Sequence, residues 1–200
     1  DVITKVDGVP VGDMAPEEVQ NLTTGEPGTS VTVTVERYGI DHPISFELER
    51  QRIDVKNVAY AGLVGEQSNV GYILLNRFSK NAGDEIRQAL QNLREEHQLS
   101  GLIVDLRNNP GGLLGEAVST VDKFLPQNQM VVETRGRLNE HNNVFKTEET
   151  PMAPDLPMVV LQNGGSASAS EIVAGALQDL DRAVIMGEQS FGKGLVQVVR

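Results

Sequence analysis

Apolar and polar positions alternate with two different rhythms along the chain. Val2-Ile3-Thr4-Lys5-Val6 reads as a strand closed by the Asp7-Gly8 turn, and Ala15 to Leu22 as a helix. The β-branched run Ser30 to Val35 is a second strand entered through Gly25-Glu26-Pro27-Gly28, and strict alternation resumes in Ile44-Ser45-Phe46-Glu47-Leu48-Glu49. This stretch is too small for a core of its own. Gln51 to Gln67 is polar and irregular, which predicts a junction with a boundary near Arg52 and therefore units 1–52 and 53–200.

Beyond the boundary, strands and helices take turns. Val70 to Leu75 is a strand, Ala82 to Glu96 a helix with Ile86, Leu90 and Leu93 on one face, and Leu102 to Leu106 a buried strand. Leu113 to Leu125 reads as a helix, Met130 to Thr134 and Met158 to Leu161 as strands, Glu171 to Leu180 as a helix and Ala183 to Met186 as a strand. Such alternation predicts an α/β architecture with helices covering a sheet.

Composition narrows the chemistry. With 39% hydrophobic and 22% charged residues the chain can bury a core, and no run approaches the roughly 20 apolar residues of a membrane span. A net charge of −11 without a basic cluster argues against nucleic acid as partner. The absence of cysteine removes thiol nucleophiles, disulfides and thiolate metal sites. Three histidines remain, His42, His97 and His141, each in a polar setting away from the segments that could carry chemistry.

The first such segment is Asn163 to Glu171, where small residues and three serines follow an apolar strand and open a helix. Small side chains admit a substrate backbone, and the free amides of a helix start can stabilise an oxyanion. Serine and glycine also serve as ordinary helix caps, and periodicity does not choose among Ser166, Ser168 and Ser170. The second segment, Gly187 to Gln197, nearly fits a phosphate loop, but Gly194 stands where a magnesium-binding hydroxyl belongs and Leu195 onward is β-rich. Lys193 could instead act as a base if Phe191, Leu195 and Val196 wall it from water. Were Gly194 to Val198 a strand, Gln197 would share a face with Lys193 and could orient its amine. The third segment, Asp105 to Leu114, places a glycine-rich turn between strand and helix. Its amides could complete an oxyanion hole, with Asp105 and Arg107 as structural partners of turn amides or of each other.

Together, Asp105-Leu106-Arg107-Asn108-Asn109-Pro110-Gly111-Gly112, the run Gly165 to Asp179 and the run Gly187 to Gln197 resemble the C-terminal processing, or tail-specific, peptidases. The order and approximate spacing of the three segments match that family, and the resemblance covers essentially the whole chain. It implies a ClpP/crotonase-like β-α spiral preceded by a partial PDZ domain, of which residues 1–52 would be the second half, and a catalytic domain that stops short of the family's usual end. The family's nucleophile falls on Ser168, which lies 25 positions before Lys193, the general base, with Gln197 as third member. The oxyanion amides fall on Gly112 and Ala169, and Asp179 and Arg182 match residues that support the site. Pro110 replaces the first of three glycines common in relatives and leaves Gly112 available.

The resemblance further implies no metal and no organic cofactor, protein or peptide substrates with accessible C-terminal tails, and an extracytoplasmic location in the bacterial periplasm or cell envelope. It leaves homo-oligomerisation open. The alternative is a non-catalytic peptide-binding or scaffold relative.

Overall fold

The computed structural model describes residues 1–52, 56–67, 69–138 and 141–197. The chain divides into two compact units, Asp1–Val55 and Lys56–Arg200.

In the first unit β1 (Val2–Val6), β2 (Val9–Pro10), β3 (Ser30–Glu36) and β4 (Ile44–Glu49) form an antiparallel sheet in the order β2-β1-β3-β4. Asp7 and Gly8 have φ of 46° and 79°, the two positive values that a two-residue hairpin turn requires. Contrary to the expectation that this stretch is too small for a core of its own, alternation in β3 buries Val31, Val33 and Val35 beside Val6 and Val11, and α1 (Pro16–Thr23) packs Val19 and Leu22 against them. Arg50 closes the end of α1, donating to the carbonyls of Leu22 at 3.1 Å and Thr23 at 3.0 Å, and to that of Ser30 at 2.7 Å.

The second unit runs β5 (Val58–Val64), β6 (Val70–Leu75), α2 (Ala82–Glu96), β7 (Gly101–Asp105), α3 (Leu114–Asp122), β8 (Met130–Thr134), β9 (Asn143–Lys146), β10 (Met158–Gln162), α4 (Ala169–Asp179) and β11 (Val184–Gly187). Its main sheet has the order β11-β10-β7-β6-β5, parallel from β6 to β11, with β5 antiparallel at one edge. Each new parallel strand is added on the same side of the last, so right-handed crossovers put α2, α3 and α4 on one face. There Ile73, Val104 and Val160 meet Leu90, Val121 and Leu177 in one core. The carboxyl ends of the parallel strands share one edge, and the loops after β7, β10 and β11 gather there, the usual place for a site in an open α/β sheet.

Three other expectations need correction. The stretch Gln51–Gln67 is not wholly a junction, because β5 lies within it; the small residues Ala59, Ala61 and Gly62 and a register shift between Val58 and Tyr60 hide its pattern. Strand β9 pairs with β8 where no element is expected between Thr134 and Met158. Helix α3 ends at Asp122, not Leu125, and α4 begins at Ala169, two residues before the sequence suggests.

Lys123, just past α3, is enclosed, with 1% side-chain exposure, and its ammonium lies 2.8 Å from Glu149, which also pairs with Arg87 of α2. Lys123 above all, and Arg87 with it, holds the Glu149 carboxyl below the ordinary carboxylate range despite partial burial. Glu149→Ala strands a buried ammonium and is expected to cost about 3 kcal/mol in urea unfolding, whereas Lys123→Met, which removes the buried charge, is expected to cost less than about 1 kcal/mol. Equal losses from the two would show that packing, not charge, governs this position.

Candidate active site

The strand-to-helix turn after β10 carries the three serines. Ser166 and Ser170 are buried, and their hydroxyls donate to the carbonyls of Leu106 at 2.7 Å and Asn109 at 2.9 Å. Ser168 differs from both. It is half-buried, makes no side-chain capping bond, and holds φ 56° and ψ −112°, a conformation that costs a non-glycine residue about 1–3 kcal/mol. Ser168 stands at the N-terminus of α4, and the next residue, Ala169, begins the helix with an amide that has no intrahelical acceptor.

The Asp105–Leu113 turn lies directly against this serine. Asn109, fully buried, donates to the Leu75 carbonyl at 2.7 Å, accepts from the Gly111 amide at 2.9 Å, and receives the Ala167 amide on its own carbonyl at 3.0 Å. Asn108 and Asn163 exchange bonds at 2.8 and 3.0 Å. Gly111 has φ 95°, and a Cβ there would fall 2.8 Å from that of Ser168 and 2.5 Å from the Ala167 carbonyl oxygen. Phe78 donates to the Gly111 carbonyl at 3.0 Å and accepts from Leu113 at 2.7 Å. That parallel bridge turns the intervening Gly112 amide away from Phe78.

Asp105, 1% exposed, accepts from the Tyr72 hydroxyl at 2.6 Å and from the Arg107 amide and guanidinium, so it is partner to both a turn amide and its neighbour. Burial opposes its charge, but the donations from Arg107 and Tyr72 prevail and lower its carboxyl from the ordinary value; burial and Asp105 raise the Tyr72 phenol.

Lys193 lies on the irregular segment after β11, and its backbone is fastened to the serine turn. The Phe191 amide donates to the Ser166 carbonyl at 3.0 Å, and the Gly192 and Lys193 amides donate to the Glu171 carboxylate at 2.7 and 2.9 Å. Glu171 also receives the Ser190 hydroxyl at 2.7 Å and the Ser168 amide at 2.7 Å. Burial acts against this carboxylate, yet the four donations outweigh it and lower its pKa, so its contribution to stability is present above the ordinary value and lost as pH falls through the lowered one. Glu171 escaped the sequence reading. The signal was available, because serine followed three residues later by glutamate at a helix start is the capping-box spacing.

The expected dry pocket is absent from the described residues. Phe191, Leu195 and Val196 are 67%, 74% and 57% exposed, Lys193 and Gln197 are exposed, and 194–197 form no strand. With no neighbouring strand for this segment to pair with, its alternation has nothing to bury against. The expected placement of Lys193 and Gln197 on one strand face is therefore corrected; Val198 lies outside the described residues. Asp179 and Arg182 sit at or beyond the far end of α4, roughly 16 Å from Ser168 by helix rise. Arg182 donates to the carbonyls of Phe124 at 3.0 Å and Ala153 at 2.7 Å, which ties the end of α4 to the segments after α3 and before β10.

His97 pairs with Glu96 at 3.7 Å, and His42 is exposed. Among the described residues no group of histidine and acidic side chains could hold a metal. A cavity of about 450 Å³, lined by Arg94, His97, Leu99, Asp155 and neighbours, lies at the opposite edge of the sheet from Ser168, before β7 and β10 begin. No helix among the described residues is long and apolar enough to cross a membrane.

Fold and site define an α/β protein that presents a strained serine at a helix start, on the carboxyl edge of a parallel sheet. Residues 69–200 match peptidase family S41, and the chain belongs to that family. It is 40% identical over its whole length to a carboxy-terminal-processing protease of Bartonella bacilliformis and 42% identical over 98% of its length to a carboxyl-terminal-processing protease of Synechocystis. The chain spans 45% of each of these relatives. The solved structure of a photosystem II D1 C-terminal processing protease superposes with a TM-score of 0.60 and 32% identity, over 98% of this chain and 53% of that one.

Proposed function

We propose that the protein is a serine endopeptidase that cleaves proteins or peptides near accessible C-terminal tails. Ser168 Oγ attacks the peptide carbonyl carbon while neutral Lys193 takes the hydroxyl proton; the C–N bond then breaks and Lys193 returns a proton to the departing amine. Water then attacks the Ser168 ester and gives a proton to Lys193; as the ester C–O bond breaks, Lys193 passes that proton to Ser168 Oγ, which releases the acid product and restores the pair. The Gly112 and Ala169 amides face the developing oxyanion, and Gln197 orients the lysine once the residues after Lys193 fold inward about the amide that Glu171 holds. The chemistry needs no metal and no cofactor.

The observation that carries this reading is the state of the three serines: two are buried and hydrogen-bonded, and Ser168 alone is offered to solvent in a strained turn against Gly111. Residues 1–52 resemble the second half of a PDZ domain, and the elements with which such a domain captures a tail belong mostly to its first half. An extracytoplasmic setting, periplasm or cell envelope, agrees with the processing proteases this chain resembles.

The exposure of Lys193 favours a second reading, in which the fold is an inert peptide-binding support. Casein hydrolysis by the full-length protein separates the two. The peptidase reading requires cleavage by the unsubstituted protein and a loss of at least about 10³-fold in Lys193→Ala. Normal cleavage by Lys193→Ala removes the proposed base, and a folded protein that never cleaves leaves the binding reading in place.

A further inference from the structure

The two halves of the proposed dyad reside on loops 25 positions apart, and one carboxylate touches both. We infer that Glu171 is a positioning residue, a clasp that holds the lysine loop against the serine turn, with the Ser190 hydroxyl as its side-chain fastening. The inference rests on the peptidase reading for its consequence, but the contact itself does not.

Each oxygen of Glu171 has two donors. Oε1 receives Ser190 Oγ and the Gly192 amide, and Oε2 receives the Ser168 and Lys193 amides. A carboxylate is the side-chain group that can fill this role, since it accepts at both ends and donates at neither. The bond to the Ser168 amide fixes the turn in which that residue holds φ 56°. The bonds to Gly192 and Lys193 fix an otherwise exposed segment in which Gly192 has φ 86°. Loss of the clasp would therefore leave the loops joined through Phe191 and Ser166, with Gly192 and Lys193 released from the turn that holds Ser168. Ser190 is the one donor of the four that a substitution can remove without altering the backbone.

The test uses the full-length protein and reads two quantities: the rate at which a fluorophosphonate labels Ser168, and hydrogen exchange at the Gly192 and Lys193 amides. Glu171→Gln keeps the size of the side chain but turns an NH₂ towards two of the four donors, one of which is the Gly192 or the Lys193 amide, and is expected to slow labelling by about 100-fold and to abolish exchange protection at that amide. Ser190→Ala is expected to slow labelling about ten-fold, and Ser190→Thr to restore it to within about two-fold, since the hydroxyl and not the fold is what the clasp uses. Thermal unfolding of all three is expected to stay cooperative, and labelling rates are compared well below their midpoints. Wild-type labelling in Glu171→Gln, or unchanged exchange protection there, overturns the clasp. Should the unsubstituted protein not label at all, the peptidase reading falls, and exchange at Gly192 and Lys193 decides the clasp by itself.

Discussion

Replacing Ser168 by glycine is expected to give a protein that no longer cleaves casein and yet withstands more urea than the unsubstituted form. The reason lies in the backbone. Ser168 holds φ 56° and ψ −112°, a region that a side chain disfavours and glycine enters freely. The surrounding bonds enforce it: the Ser168 amide is tied to Glu171, and its flanking serines are anchored to Leu106 and Asn109. Relief of that strain exceeds the added entropy of a glycine in the unfolded chain, for a net gain of about 1 kcal/mol. Loss of the hydroxyl removes the proposed nucleophile, and cleavage falls by at least about 10³-fold. Retained cleavage would displace Ser168 as nucleophile, and a clear loss of stability would show that the turn is not strained. Ser168→Ala, which loses the hydroxyl but keeps the Cβ, is expected to lose cleavage without the gain.

Gly111→Ala is expected to be among the most damaging single substitutions, with a loss of about 3 kcal/mol in stability and of nearly all fluorophosphonate labelling at Ser168. A methyl group there would sit 2.5 Å from the Ala167 carbonyl oxygen and 2.8 Å from Ser168 Cβ, on a backbone with φ 95°. Neither neighbour can retreat, because Ala167 is bonded to Asn109 and Ser168 to Glu171. Gly115→Ala is the control. It lies in the first turn of α3 with nothing within 4 Å of an added Cβ, so the substitution is expected to be neutral or to add up to about 1 kcal/mol through helix propensity. Comparable losses at both positions in urea unfolding would mean that the steric account of the serine turn is wrong.

Local pattern made much of this protein legible. Period-2 alternation located β3 and β6, where one side chain in two is buried, and period-3.6 spacing located α2 through Ile86, Leu90 and Leu93. The succession of strand and helix predicted an α/β sheet, and three short motifs in order led to family S41. What escaped was whatever depends on partners distant in the chain. Strand β5 is small and interrupted, and only its pairing with β6 makes it a strand; β9 likewise exists through β8. Gly194 to Gln197 shows the converse, a β-rich run that forms no strand because no neighbour pairs with it.

The sequence by itself determined the fold class, the family and the three segments in which chemistry is sought, because propensity, periodicity and motif are properties of neighbouring residues. Only the tertiary structure decided that Ser166 and Ser170 hydroxyls are consumed by the carbonyls of another loop, that Gly111 touches Ser168, and that Arg182 braces the far end of α4. The capping-box spacing pointed to the bond between Glu171 and the Ser168 amide, but only the structure showed the donors from Ser190, Gly192 and Lys193. A hydrogen bond is directional and short, and which distant groups come within 3 Å of one another is settled by how the sheet and helices pack.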